Sequence, residues 1–221
     1  MDELLLTLLG TGSPLPDPHR AGPSSLVRSG DASVLVDAGR GVVMRLAGAG
    51  VMPMHLSAVL LTHLHSDHLT DLNDVITTAW VMSPVSAVLP IYGPPGTAEV
   101  VGATLDMLAP DISYRLAHHD DLTEGPRVEV REIGDGDTLE IDDVHVLVGR
   151  TDHRPVEPTV GYRFDRGGRS IVIGGDGIPC DALDRLCRGA DLYVQTVVRD
   201  DLVRTVAMPR FVDILDYHSS V

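Results

Sequence analysis

Thr62-His63-Leu64-His65-Ser66-Asp67-His68 places four metal-competent side chains within six residues. It follows directly on an apolar run over 58–61 that reads as a strand. Just past a strand, His63 and His65 at i and i+2 point the same way, while Asp67 and His68 fall in the following turn and aim at a second point beside the first. Two adjacent cations can then share one loop. The bland alternative is a polar loop that opens a helix from Leu69, with Asp67 as its N-terminal cap. A cap needs one carboxylate and leaves three imidazoles unexplained.

Outward from this segment, short apolar runs separated by turn residues predict strands over 4–9, 24–27, 33–36, 58–61, 88–92, 128–133, 144–148, 160–164, 170–173 and 191–197. Helical periodicity fits between them over 42–49, 69–81, 97–108, 180–188 and 209–216. Clustered strands with interspersed helices give an α/β (α+β) class, with sheets faced by helices. The acidic Gly134-Asp135-Gly136-Asp137 is short and lies between strand-like runs, so it predicts a hairpin turn and not an interdomain linker. At 221 residues the chain is expected to be one domain, residues 1–221.

Composition narrows the partners. Acidic residues number 32 against 17 basic ones, every basic residue is Arg, and the net charge is −15, so general attraction to a nucleic-acid backbone is not written into the chain. No stretch approaches the roughly 20 apolar residues a membrane-spanning helix needs. The acidic start and the short apolar run that follows do not fit a secretory signal, so a cytoplasmic location is expected. Cys180 and Cys187 are expected to stay reduced and to pack as small core residues on one helix face. Trp80 and Met82 are expected to pack a helix onto the sheet. His118-His119 beside Asp120-Asp121 reads as a solvated loop, because adjacent side chains diverge.

The spacing His-x-His-x-Asp-His after a strand resembles the signature of the metallo-β-lactamase fold superfamily, and further segments resemble its ribonuclease Z branch. Leu8-Leu-Gly-Thr-Gly-Ser-Pro-Leu-Pro16 is similar to that branch's first strand and turn. Val34-Leu-Val-Asp-Ala-Gly39 resembles the fold's strand ending in a buried aspartate, and Ile91-Tyr-Gly-Pro94 the strand after the metal-loop helix. Thr151-Asp152-His153 resembles the third-motif histidine, with Gly161-Tyr162-Arg163-Phe164 following it. Ile173-Gly-Gly-Asp176 resembles the strand-terminal aspartate that bridges two metals, and Tyr217-His218-Ser219-Ser220 the branch's His-Ser-Thr motif.

The resemblance implies an αββα metallo-β-lactamase sandwich, with two facing mixed sheets and outer helices. It implies two divalent ions, with Zn²⁺ leading and Mn²⁺ or Fe²⁺ also compatible with imidazole and carboxylate ligands. The first would be held by His63, His65 and His153, the second by Asp67 and His68, with Asp176 between them. Asp67 and His218 would serve catalysis, His218 by proton transfer. Arg20, in a loop similar to the family's Pro-x-x-x-Arg, and Arg154 would bind the anionic substrate. The implied activity is hydrolysis of a phosphodiester, RNA among the candidates, with a homodimer as the family's habit.

Three departures qualify this picture. The family's last strand and its metal-completing histidine have no counterpart, so a truncated domain lacking its final strand and helix is expected. Tyr193-Val-Gln-Thr196 stands where relatives usually show a histidine and a glutamate before a serine or threonine, and with Gln195 and Thr196 neutral His218 is expected to lack its carboxylate partner. The long arm with which bacterial relatives grasp transfer RNA is absent, because Asp165-Arg-Gly-Gly168 turns straight into the next strand. Alternatives therefore stay open: hydrolysis of a small cyclic phosphodiester, a sulfate ester or a lactone, or a catalytically silent metal-binding form.

Overall fold

The computed structural model describes residues 3–206 and 208–221. The chain runs β1 (Leu5–Gly10), β2 (Ser24–Ser29), β3 (Ala32–Val36), α1 (Val42–Gly48), a 3-10 turn at Pro53–His55, β4 (Ala58–Leu60), α2 (Ser66–Leu69), α3 (Leu72–Met82), β5 (Val88–Gly93) and α4 (Thr97–His118). It continues β6 (Arg127–Glu132), β7 (Thr138–Ile141), β8 (Val144–Arg150), β9 (Val160–Arg166), β10 (Arg169–Ile173), α5 (Asp181–Cys187), β11 (Leu192–Val194), β12 (Val197–Val198), α6 (Asp200–Val203) and α7 (Pro209–Asp213). A 3-10 turn at Ile214–Asp216 and β13 (Ser219–Ser220) close the described chain.

Strands β1 to β6 form one mixed sheet in sequential order, and a second has the order β11-β10-β9-β8-β7. One apolar cluster lies between the sheets, where Val34, Val36, Ala58 and Leu60 meet Val146, Val148, Tyr162 and Phe164. A second lies on the outer face of the first sheet, where Leu35, Val59 and Ile91 meet Val42 and Leu46 of α1 and Leu72, Val75 and Ile76 of α3. Alternation explains the split. Along β3 the even-numbered residues face the partner sheet and Leu35 faces the helices, so all five positions are buried. Helix α5 packs through Leu183 and Leu186 on the far face of β8 and β9, completing an αββα sandwich.

Several expectations need correction. The 134–137 loop is not a hairpin: β6 pairs with β5 in the first sheet and β7 with β8 in the second, so the loop carries the chain between sheets. The hairpin is one strand later, where β7 and β8 are joined through Asp142 at φ 52°. Helix α4 continues through Pro110 to His118, ten residues past its expected end. The expected single strand over 191–197 divides into β11 and β12, which belong to different sheets. Met82 is 51% exposed and does not pack on the sheet, whereas Trp80 donates its indole N–H to the Glu124 carbonyl at 2.9 Å. Cys180 precedes α5, Cys187 ends it, and both are free and only partly buried. His118 and His119 are exposed, with ring centres 4.9 Å apart.

Candidate metal centre

Strand β4 is the innermost source of the site. It pairs in parallel with both β3 and β5, so the chain leaving it at Leu61 emerges between two neighbouring strand ends. Three hydrogen bonds fix that exit: Leu61 N–H donates to Tyr92 O at 2.8 Å, Val160 N–H to Thr62 O at 2.9 Å, and Asp37 N–H to Leu60 O at 2.8 Å. The segment 62–65 then passes into α2, whose second and third residues are Asp67 and His68. His153 arrives from the loop between β8 and β9, Asp176 from the loop after β10, and His218 from the turn before β13.

These loops bring four of the expected ligands to one point. Ligand atoms of His63, His65, His153 and Asp176 all lie within 4.8 Å of one another. His63 Nε2 is 3.1 Å from His65 Nδ1, and His153 Nε2 is 3.3 Å from that same nitrogen. A tetrahedral ion with bonds of about 2.0–2.1 Å spaces its ligand nitrogens about 3.3 Å apart. His65 Nδ1 therefore stands from both of the other imidazoles at about the spacing that a shared cation requires. Asp176 Oδ2 is 4.0 Å from His63 Nε2.

The second group is contiguous with the first. His68 Nε2 lies 3.4 Å from Asp176 Oδ1 and 3.9 Å from Asp67 Oδ2. His68 Nε2 and Asp176 Oδ1 are buried, and neither has a hydrogen-bond partner. Buried polar atoms left unpaired are uncommon and costly. A cation seated between them, with Asp67 beside it, satisfies both.

The opposite edge of three of the rings is held. His63 Nδ1 meets Thr62 Oγ1 at 3.0 Å, His153 Nδ1 donates to Tyr217 O at 2.9 Å, and His68 Nδ1 to Asp37 Oδ2 at 2.8 Å. Such bonds fix the tautomer that leaves the other nitrogen free to ligate. Asp37, at the end of β3, also accepts from Thr62 N–H at 2.8 Å and Thr62 Oγ1 at 2.9 Å. It is 4% exposed and sits at φ 62°, a left-handed conformation that Asp and Asn tolerate better than most residues. Sequence reading marks Asp37 as a buried strand-end aspartate; its hold on both His68 and Thr62 becomes visible only in three dimensions.

The electrostatics separate the rings, and a cation at His68 Nε2 would displace a proton there. Burial pulls His63 down to about 2, with the neighbouring His68 charge adding to the effect, and burial likewise lowers His153. Both rings are thus neutral and offer lone pairs at ordinary pH. Burial disfavours charge on His68, but Asp37 and Asp176 outweigh it and hold the ring well above its usual value. Burial penalises the Asp176 carboxylate, yet the hydrogen bond from His218 and the nearby His68 ring keep it well below the usual carboxylate range.

His218 departs from expectation. Its Nε2 is 3.2 Å from Asp176 Oδ2 and its Nδ1 donates to Ile214 O at 3.0 Å, so it does have a carboxylate partner, and a backbone carbonyl orients it. Burial lowers its proton affinity, but Asp176 and the Ile214 carbonyl more than offset this, and the net direction is upward. Arg154 forms a two-pronged pair with Asp152 at 2.9 and 2.6 Å, and Arg20 lies 3.8 Å from Asp17 in an exposed loop. Neither arginine is drawn into the ligand cluster.

A beta-lactamase superfamily domain matches residues 32–219. Ribonuclease Z of Mycobacterium bovis (strain BCG / Pasteur 1173P2) is 56% identical over 220 residues, covering 99% of this chain and 79% of its own length. Ribonuclease Z of Mycobacterium avium (strain 104) is also 56% identical, over 98% of this chain and 78% of its own. Among solved structures, the metallo-beta-lactamase fold protein YhfI from Bacillus subtilis superposes with a TM-score of 0.69 at 25% identity, over 90% of this chain and 72% of that one. Human tRNase Z, short form, superposes with a TM-score of 0.70 at 22% identity, over 98% of this chain and 92% of its own, a likeness of fold.

Proposed function

The chain belongs to the beta-lactamase superfamily and, within it, to the ribonuclease Z family, and on that premise we propose that it hydrolyses an RNA-type phosphodiester at a two-metal centre. The observation that carries this reading is the convergence of His63, His65 and His153 nitrogens beside the unpaired His68 Nε2 and Asp176 Oδ1. His63, His65 and His153 would hold the first ion, Asp67 and His68 the second, and Asp176 both, with Zn²⁺ best matched to the donor set. Bound divalent ions would supply Lewis-acid polarisation of a phosphoryl oxygen and a water acidic enough to attack near neutral pH.

The chain's own groups do the rest. The hydrogen bonds at Nδ1 of His153 and His68 hold those rings at fixed orientations, so the reactive geometry is set before substrate arrives. His218, anchored at Nδ1 by the Ile214 carbonyl, presents Nε2–H at the edge of the cluster, where it can deliver a proton to the departing alkoxide. Arg20 and Arg154 are the cations assigned to the substrate's phosphates. For Arg154 this role requires sharing its guanidinium with Asp152.

One observation favours a small phosphodiester as a second reading. β9 and β10 are joined by Gly167 and Gly168 alone, at φ 56° and 77°, a two-residue hairpin turn with no room for an RNA-grasping arm. Partners beyond the substrate, including a second copy of the chain, rest on the resemblance. Among the described residues no helix is long and apolar enough to cross a membrane, and the two unpaired cysteines fit the reducing cytoplasm assigned to it. The test is hydrolysis of bis(p-nitrophenyl) phosphate and of a short RNA. Turnover abolished by chelation and restored by Zn²⁺ supports the reading, and turnover that survives verified metal removal overturns it.

A further inference from the structure

The loop that carries Asp176 has little regular structure to hold it. It leaves β10 at Ile173 and passes through Gly174, Gly175 and Gly177, with Gly175 at φ 68° and Gly177 at φ 149°. Glycines at such angles let the chain turn sharply, and they also widen its freedom, so the turn needs anchors. Two anchors are backbone bonds at its ends: Gly174 N–H donates to Val194 O at 2.9 Å and Ile178 N–H to Asp152 O at 2.8 Å. Between them, the two carbonyls flanking Asp176 point toward one side chain. Gln195 Nε2 lies 3.1 Å from Gly175 O and 3.3 Å from Gly177 O, and 3.3 Å from its neighbour Thr196 O.

We propose that Gln195, oriented by Tyr193, is the positioning residue that fixes Asp176 by donating its side-chain amide to the carbonyls on either side of it. The inference rests on the reading of Asp176 as a shared metal ligand. The donor set supports the assignment of the amide: its nitrogen faces carbonyl acceptors, while its oxygen accepts from the Tyr193 hydroxyl. That hydroxyl stays a donor, because burial raises the phenol to about 12. The pair also lies tight against the loop, since a Cβ at Gly174 would come within 2.4 Å of Gln195 Oε1 and 3.2 Å of the Tyr193 ring.

The anchoring is unequal. Gly177 O also accepts from Ser219 N–H and Ser219 Oγ, both at 2.9 Å, so it keeps partners without Gln195. Among the described residues, Gly175 O has only a long 3.4 Å bond from Thr196 N–H besides the Gln195 amide. The glutamine therefore matters most on the β10 side of Asp176. A carboxylate at position 195 has no proton to give and would face these carbonyls with like partial charge. In this chain a neutral amide is thus the side chain that can donate to these carbonyls, so Gln195, where the resembling family has a histidine and a glutamate before a serine or threonine, builds a support of its own.

The experiment compares the parent with Gln195→Met, which keeps length and loses both bonds, Gln195→Glu, which inverts the donor, and Tyr193→Phe, which removes only the orienting hydroxyl. Two readouts are taken: deuterium exchange of the 174–178 segment in chelated protein, and Zn²⁺ uptake by competition with a chromophoric chelator. Loss of a bond supporting a ligand typically weakens metal affinity about 10–100-fold. The expected result is faster exchange of 174–178 in all three variants and about that loss of affinity in both Gln195 variants, with a smaller loss in Tyr193→Phe. For bis(p-nitrophenyl) phosphate, kcat should fall at an unchanged KM. Unchanged exchange together with parental Zn²⁺ affinity in Gln195→Met would overturn the proposal. A parent that takes up no Zn²⁺, while the variants still loosen the loop, would refute the two-metal reading and leave the clamp supported.

Discussion

Substituting Asp37→Asn isolates the contribution of one carboxylate to the second metal position. The exchange is nearly isosteric, and asparagine is among the residues that tolerate the φ of 62° found there, so the backbone should hold. The amide oxygen can still accept from Thr62 N–H, as Oδ1 does at 2.8 Å. The amide NH₂, placed where Oδ2 now stands 2.8 Å from His68 Nδ1, would confront an N–H with another donor. His68 escapes by moving its proton to Nε2, the atom 3.4 Å from Asp176 Oδ1, and so withdraws the lone pair that the metal needs. Loss of such a supporting bond typically costs about 10–100-fold in metal affinity, or about 1.4–2.7 kcal/mol. Competition titration of the metal-free protein with Zn²⁺ should show the second equivalent weakened by that factor and the first essentially unchanged, with kcat falling alongside the second. Two equivalents bound at parental affinity would refute the claim that Asp37 sets the His68 tautomer.

Asp67→Ala should abolish phosphodiester turnover while elemental analysis still finds the first metal, because Asp67 lies 3.9 Å from His68 Nε2 and is absent from the His63, His65, His153 and Asp176 group. Loss of both metals together, or surviving turnover, would contradict the division into two positions. The metal-free protein should lose stability as pH falls below 6.5. His63 is held near 2 when folded and titrates at 6.5 when unfolded, so the unfolded chain takes up the proton first. The slope from this one group is about 1.4 kcal/mol per pH unit, and urea titrations at pH 6.5 and 5 should show a shallower dependence in His63→Asn; equal dependence in the two proteins would sink the assignment. Precursor transfer RNA should be cleaved less efficiently than small phosphodiesters and worst at low salt, given a net charge of −15 and the two-glycine turn between β9 and β10. Efficient 3′ cleavage at ordinary salt and low enzyme would overturn that expectation.

The parts of this molecule that could be read along the chain are those whose chemistry is local. His63, His65, Asp67 and His68 stand within six residues, and the strand that delivers them carries its own apolar signal. Most strands were legible for the same reason, but not β7, whose four residues lie in an acidic stretch beside the turn at Asp142, nor the two-residue β13. What failed was pairing. Nothing local in Gly134-Asp135-Gly136-Asp137 says whether the next strand returns to its own sheet or joins the other; burial of Leu139 and Ile141 in the cluster between the sheets decides it. Helix α4 outran its proline because Pro110 removes one backbone donor at a largely exposed part of the helix, a defect the flanking turns absorb. The support of the site was hidden as well. Asp37 reaches His68 across 31 residues and Gln195 reaches Gly175 across 20, separations fixed only once β3 lies beside β4 and β10 beside β11.

The central claim is that two cations share Asp176. It is tested most directly by a crystal grown with Zn²⁺ and measured on both sides of the zinc absorption edge. The account predicts two anomalous peaks about 3.5–4 Å apart, one against His63, His65 and His153, the other against Asp67 and His68, with an Asp176 oxygen on each. A single peak, or two peaks of which neither touches Asp176, would contradict it.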